Sequence, residues 1–204
     1  MKIICVGRNY ADHVKELNNE IPEDPVIFLK PDTAKIHDGD TFYIPSFTND
    51  VHYEAELVVR ISKVGKHIQP KFAHKYYDQI SVGIDFTARD IQQKLKEKGL
   101  PWEKAKAFDG SAAVGKMVNF REMNWDVQNL TFRLNVNGKE RQKGHTGQMM
   151  RSVDELIAYI STFITLKVGD LIYTGTPAGV GKVEPGDEIS VFLQDDAMLN
   201  VIVK

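Results

Sequence analysis

The sequence has one cysteine, no long apolar run and no block of like charge. With Cys5 alone, no disulfide can close within the chain. Its place in the first apolar run makes it a small buried core residue. A reduced, cytosolic location is therefore the expectation. No apolar stretch reaches the ~20 residues that span a bilayer, so no membrane partner is expected. Met1-Lys2-Ile3-Ile4-Cys5-Val6-Gly7 is too short for a signal segment and reads as a first strand. The 26 Lys and Arg nearly balance 28 Asp and Glu, leaving a net charge of -2. That argues against a general nucleic-acid or membrane-surface binder. No internal repeat, low-complexity tract or linker interrupts the chain.

What is present is ordinary globular material. The 204 residues, 42% hydrophobic and 26% charged, suit a single domain over 1–204 with a real core. Short β-branched runs outnumber helical ones. Strands are expected at Lys2–Val6, Val26–Leu29, Gly39–Pro45 (turn plus edge strand), Ala55–Ile61, Gln79–Ile84, Leu130–Val136, Leu171–Thr174, Ile189–Leu193 and Leu199–Val203. Helices are expected at Tyr10–Leu17, Pro70–Tyr77, from Thr87 (as cap) to Lys98 with Gly99 as stop, and from a Ser152/Glu155 capping box to Ile164. Asn18–Pro25 reads as loop. Leu100–Gly115 reads as a long irregular stretch of the kind that often carries function. Asn137-Gly138 marks a hairpin turn. Without regular βαβ alternation, the class is a strand-rich α+β fold with a bent sheet or roll.

The stretch that organises the chemistry is Val51-His52-Tyr53-Glu54-Ala55-Glu56-Leu57. In an extended segment Glu54 and Glu56 share a face at the entrance to an apolar run. Adjacent carboxylates repel, and desolvation raises the cost, unless positive charge sits between them. A divalent cation or a pair of basic side chains would supply it; two solvated glutamates at a strand start would need neither. Asp85 ends Ser81-Val82-Gly83-Ile84-Asp85, a position that suits a metal ligand or a helix cap. Three carboxylates and no soft ligand select Mg²⁺ or Mn²⁺, or Ca²⁺, over zinc. His52 reads as a loop residue beside this set. His13 and Glu16 lie three apart on a helix, either as an exposed pair or as a base held by its orienting carboxylate. Lys106, between Trp102 and Phe108, suits an anionic substrate or oxyanion, and Arg8 and Lys30 suit a substrate carboxylate. Gly175-Thr176-Pro177-Ala178-Gly179-Val180-Gly181 lacks both phosphate-loop spacings. It is expected to offer backbone N–H groups and the Thr176 hydroxyl to a substrate carboxylate.

Six ordered motifs carry a resemblance over nearly the whole chain. They are Gly7-Arg8-Asn9-Tyr10-Ala11-Asp12-His13, Phe28-Leu29-Lys30-Pro31, His52-Tyr53-Glu54-Ala55-Glu56-Leu57, Gly83-Ile84-Asp85-Phe86-Thr87-Ala88-Arg89-Asp90, Lys106-Ala107-Phe108-Asp109-Gly110 and Thr174-Gly175-Thr176-Pro177-Ala178-Gly179-Val180-Gly181. The chain resembles the fumarylacetoacetate hydrolase family, in its short acylpyruvase and oxaloacetate decarboxylase branch. The resemblance implies a mixed β-sandwich roll, a homodimer, and Mg²⁺ or Mn²⁺ held by Glu54, Glu56 and Asp85. It implies catalysis by His13, Glu16 and Lys106, with His13 and Glu16 on a lid segment. Arg8, Lys30, Gln92 and Thr176 would contact a small 2-oxo acid. Two departures stand out. The chain starts directly at the Gly7-Arg8-Asn9-Tyr10 strand, without the family's extra N-terminal domain, and Lys143–Met149 departs from the usual Gly-Asn-Thr-Ser-Asp pattern.

The activity implied first is hydrolysis of acylpyruvates, of acetylpyruvate or fumarylpyruvate type, to pyruvate and a carboxylic acid. Decarboxylation or tautomerisation of oxaloacetate uses the same enolate chemistry. A 2-hydroxyhepta-2,4-diene-1,7-dioate or 5-carboxymethyl-2-hydroxymuconate isomerase is the alternative.

Overall fold

In the computed structural model, which describes residues 1–17 and 20–204, the strands form three sheets. The largest is ordered β2 (Val26–Lys30), β1 (Ile3–Gly7), β13 (Leu171–Tyr173), β6 (Ala55–Ile61), β7 (Tyr77–Asp85), β9 (Ala112–Val114) and β3 (Lys35–His37), with β10 (Val118–Asn119) also on β7. The second runs β12 (Lys139–His145), β11 (Thr131–Val136), β15 (Glu188–Leu193), β16 (Asp196–Val203) and β4 (Thr41–Phe42). A third, small sheet is β14 (Gly181–Lys182), β5 (Val51–Tyr53) and β8 (Thr87–Ala88). The strand-rich α+β class expected from the sequence is the observed one, with curled mixed sheets.

The core explains why β6 and β7 read as unbroken apolar runs. Leu57 and Val59 of β6 and Ile80 and Val82 of β7 pack into the main cluster, with Phe132 and Leu134 of β11, Val191 of β15 and Leu199 of β16. The alternate residue Val58 faces a second cluster with Ile3, Cys5, Leu171 and Tyr173. Both faces of β6 are therefore covered, as a continuous hydrophobic strand requires. Helix α5 (Val153–Phe163) closes the main cluster with Leu156, Ile157 and Ile160, and both halves of the Ser152/Glu155 capping box are formed. Asn137 and Gly138, both at positive φ, join β11 to β12 in the expected hairpin.

Four local expectations change. Helix α2 (Pro70–Ala73) ends before Tyr77, which begins β7. The Leu100–Gly115 stretch holds helix α4 (Glu103–Lys106) and strand β9. Thr87 does not cap helix α3 (Arg89–Glu97): Ala88 stands at that cap with no side-chain bond, and the Thr87 hydroxyl turns inward. Helix α1 (Ala11–Glu16) is slightly shorter than expected. Of the expected Asn18–Pro25 loop, Asn18 and Asn19 lie outside the described residues. Among the described residues no helix is long and apolar enough to cross a membrane.

Candidate active site

Glu54 sits where the chain leaves the small sheet at Tyr53 and enters the large one at Ala55. Its backbone is held there from two sides. The Asp85 N–H donates to the Glu54 carbonyl at 2.8 Å, and the Ala55 N–H donates to Gln142 Oε1 at 2.9 Å. Glu56 follows two residues on and lies opposite Gly83 in the β6–β7 ladder. A Cβ at Gly83 would come within 2.7 Å of the Tyr173 ring, the Ala113 carbonyl and Val58, so only glycine fits. Asp85 ends β7. One carboxylate oxygen from each of Glu54, Glu56 and Asp85 lies within 4.8 Å of the others, and all three side chains are buried.

Basic groups surround this cluster. Lys106, on α4, donates to Glu54 Oε2 and Asp85 Oδ2 at 2.7 Å each and to the Thr87 hydroxyl at 2.6 Å. The Arg89 guanidinium pairs with Glu54 Oε1 and donates to Gln92 Oε1 at 2.7 Å. Lys30 Nζ lies 2.7 Å from Asp85 Oδ1 and also donates to the Lys106 carbonyl and to both oxygens of Ser111. Burial opposes ionisation of Glu54, but the Lys106 ammonium and then Arg89 outweigh it and hold the carboxyl well below its usual range. Lys106 is likewise held charged: burial opposes it, and Asp85 and Glu54 more than compensate. Glu56 is the exception. Burial, then Asp85 and Glu54, raise its pKa well above normal, although the Gly175 N–H donates to Oε2 at 2.6 Å. A buried carboxyl beside two others is what a bound dication would relieve. The all-oxygen donor set is that of a hard divalent ion.

The carboxylates open into a cavity enclosing about 410 Å³, mouth included. His13 lines it from α1. Its Nδ1 is 3.0 Å from Glu16 Oε2 and Glu16 Oε1 accepts the Gly179 N–H at 2.9 Å. A carboxylate only accepts, so Nδ1 carries the proton and Nε2 is the nitrogen that Glu16 leaves unengaged. This pair is not a solvated surface pair, because His13 is buried. Arg8, Gln92 and Thr176 also line the cavity, and Thr176 Oγ1 accepts from Gln142 Nε2 at 2.9 Å.

Several expectations are corrected here. Lys30 is placed behind the carboxylates, not in the cavity; its side chain is 0% exposed, its ammonium paired with Asp85 and its N–H groups given to Ser111 and the Lys106 carbonyl. It braces Asp85 from outside the cavity. The glycine-rich turn gives the Gly175 and Gly179 N–H groups to Glu56 and Glu16, not to a ligand. Asp85 is not a helix cap. His52 lies in strand β5 and not in a loop; it faces Asp50 at 3.0 Å and, as expected, is not part of the carboxylate set. Sequence reasoning missed Arg89, Lys96, Trp102 and Gln142. Arg89 stood inside a quoted motif with no role given, and Gln142 betrays itself only as a buried glutamine in an otherwise polar strand.

Comparisons with known proteins find relatives over nearly the whole chain. Residues 2–202 match the family described as Fumarylacetoacetate (FAA) hydrolase C-terminal. Oxaloacetate tautomerase YcgM of Escherichia coli (strain K12) is 45% identical over 190 residues, covering 93% of this chain and 87% of that protein. The structure of fumarylpyruvate hydrolase from Pseudomonas aeruginosa, in complex with Mn²⁺ and pyruvate, superposes with a TM-score of 0.92 at 36% identity, covering 100% of this chain and 90% of the other. That of 5-carboxymethyl-2-hydroxymuconate delta-isomerase from Mycobacterium smegmatis gives 0.86 at 35% identity, covering 99% and 78%.

Proposed function

The chain belongs to the fumarylacetoacetate hydrolase family, and we propose that it is a divalent-metal-dependent enzyme that interconverts the keto and enol forms of oxaloacetate. The observation that carries this reading is a buried base, His13, lining the same cavity as three clustered carboxylates. The similarity to oxaloacetate tautomerase YcgM supports the choice of substrate. Glu54, Glu56 and Asp85 would hold Mg²⁺ or Mn²⁺, which supplies Lewis-acid stabilisation of charge on the substrate's 2-oxo oxygen.

The chain's own groups do the rest. His13 Nε2 takes a proton from C3 of the keto acid, the enolate gains a proton from water at its 2-oxo oxygen, and the imidazolium returns its proton to that water's hydroxide; the reverse steps carry the enol back to the keto acid. Glu16 fixes the imidazole tautomer and balances the imidazolium that forms. Lys106 bridges Glu54 and Asp85, holds Glu54 ionised, and places an ammonium beside the enolate charge. Gln92 and Thr176 are the neutral cavity groups available to orient the carboxylate at C1. A second copy of the chain as homodimer partner belongs to the same proposal, and light scattering tests it.

One observation favours a second reading. The same His13–Glu16 pair can deprotonate water, and the Pseudomonas neighbour named as a fumarylpyruvate hydrolase was solved with Mn²⁺ and pyruvate. Hydrolysis of an acylpyruvate C–C bond, the activity first implied by the sequence, is therefore the alternative.

Enol decay of oxaloacetate, followed by ultraviolet absorbance with Mg²⁺, with Mn²⁺ and with EDTA, separates the two from pyruvate release from acetylpyruvate or fumarylpyruvate. Metal-dependent enol decay without pyruvate release is the expected result. His13→Ala should lower that rate by roughly 10²–10⁴-fold. Pyruvate from an acylpyruvate with no effect on enol decay would replace the tautomerase by the hydrolase, and an unchanged rate in His13→Ala would remove His13 as the base.

A further inference from the structure

One face of α3 turns three residues toward the cavity, Arg89, Gln92 and Lys96, at the three- and four-residue spacing of a helix stripe. Two are already engaged: Arg89 with Glu54 and Gln92, and Gln92 with Arg89. Lys106, the other lysine on the cavity wall, is spent on Glu54, Asp85 and Thr87. Among the described residues, Lys96 makes no ion pair. It is half-buried, with its ammonium 5.7 Å from the centre of the Trp102 ring, and Trp102 is braced by Phe28 at 5.9 Å between centroids. Lys94 on the helix and Lys98 just past its end are exposed and lie outside the cavity. A lysine that only solubilises the helix would resemble those two.

We propose that Lys96, seated on Trp102, binds the distal carboxylate of a 2-oxo diacid and sets a preference for dicarboxylates over monocarboxylic 2-oxo acids. The inference rests on reading the cavity as a 2-oxo acid site. Lys96 stands on the cavity wall with Arg89 and Arg8 as cationic neighbours and no carboxylate bound to it. An incoming carboxylate would find there a charge-assisted donor in a partly desolvated setting, where such bonds are strongest. The pKa of Lys96 agrees: burial, then Arg89 and Arg8, lower it to about 8, against a smaller upward pull from Glu54 and a further downward one from Lys106.

Lactate and malate test this, because both chelate through a carboxylate and a 2-hydroxyl and they differ by the distal carboxylate. Calorimetric titration of the Mg²⁺-loaded protein should show malate binding about tenfold or more tighter than lactate. Lys96→Gln should bring the ratio close to one, Lys96→Arg should retain most of it, and Lys94→Gln should leave it unchanged. A wild-type protein without malate preference, or a Lys96→Gln protein that keeps it, overturns the inference. A preference that collapses in Lys96→Gln, in a protein that never turns over oxaloacetate, would uphold the subsite and reject the tautomerase reading.

Discussion

Replacing Lys106 by Met tests whether the carboxylate cluster is held apart by the chain's own cations. Methionine keeps most of the stem and its packing over the Phe28 ring, which the Lys106 ammonium approaches to 5.2 Å of the centroid. It removes the ammonium that bonds Glu54, Asp85 and Thr87 at 2.6–2.7 Å. Deleting one partner of a buried ion pair costs ~3–5 kcal/mol, because the other charge stays buried. Arg89 stays paired with Glu54 and Lys30 with Asp85, so neither carboxylate is left alone and the lower end applies. For a chain of this length each kcal/mol moves Tm by ~2–4 °C, so a loss of ~3 kcal/mol predicts a fall of ~6–12 °C in EDTA. A divalent cation restores positive charge at the same oxygens. Saturating Mn²⁺ should therefore raise the Tm of Lys106→Met by more than it raises the wild type's. Thermal scans of both proteins, with EDTA and with Mn²⁺, measure all four values. A variant within ~2 °C of wild type in EDTA would refute the argument, since that corresponds to less than about 1 kcal/mol.

Three further outcomes follow from the same geometry. With Lys96 titrating at about 8, below its ordinary 10.5, the KM for oxaloacetate should be flat at neutral pH and rise as the pH passes about 8 and the ammonium is lost; KM measured across that range checks the sign, because a lysine with an ordinary pKa would give no rise there. Gly175 has φ +102°, and a Cβ on it would stand 2.8 Å from the Asn9 Cβ. Gly175→Ala should cost ~1–3 kcal/mol in a denaturant titration and weaken divalent-metal binding, since the Gly175 amide holds Glu56. Ser152→Ala breaks the capping box of α5 and should lower stability by ~1 kcal/mol with no change in turnover, because α5 does not line the cavity.

Much of this was legible in the sequence because it lay in local pattern. The hairpin at Asn137-Gly138, the capping box at Ser152 and the alternation of Leu130, Phe132, Leu134 and Val136 are each decided by neighbours a few residues away. The Glu54–Glu56–Asp85 grouping was legible too, because period-2 geometry puts the two glutamates together and the apolar run ahead of Asp85 buries it. What escaped depends on contacts far apart in the chain. Strand β9 is built from Ala112, Ala113 and Val114, and alanine does not advertise a strand. Its pairing with Gly83–Asp85 and the hydrogen bond from the Tyr173 hydroxyl to Ala113 are tertiary. Lys30 reads as a cation for a substrate carboxylate, yet its partners are 55 to 81 residues away at Asp85 and Ser111. A glycine-rich turn reads as a ligand cradle until its amides are found on Glu56 and Glu16.

The placement of charge also explains how one cavity can carry metal ligands and still welcome an anion. Glu54, Glu56 and Asp85, when all ionised, contribute three negative charges; Lys30, Arg89 and Lys106, each in contact with Glu54 or Asp85, contribute three positive ones. The cluster is then neutral by itself, so a dication held there leaves the site with two positive charges to offer. A 2-oxo diacid carries two negative charges at neutral pH, and a monocarboxylic 2-oxo acid carries one. Had the carboxylates stood without those three cations, the loaded cluster would be net negative and would repel either substrate. The cations that look like competitors for the metal are what make the loaded site attractive to the substrate. Lys30 contributes to that balance from behind Asp85, without reaching the cavity itself.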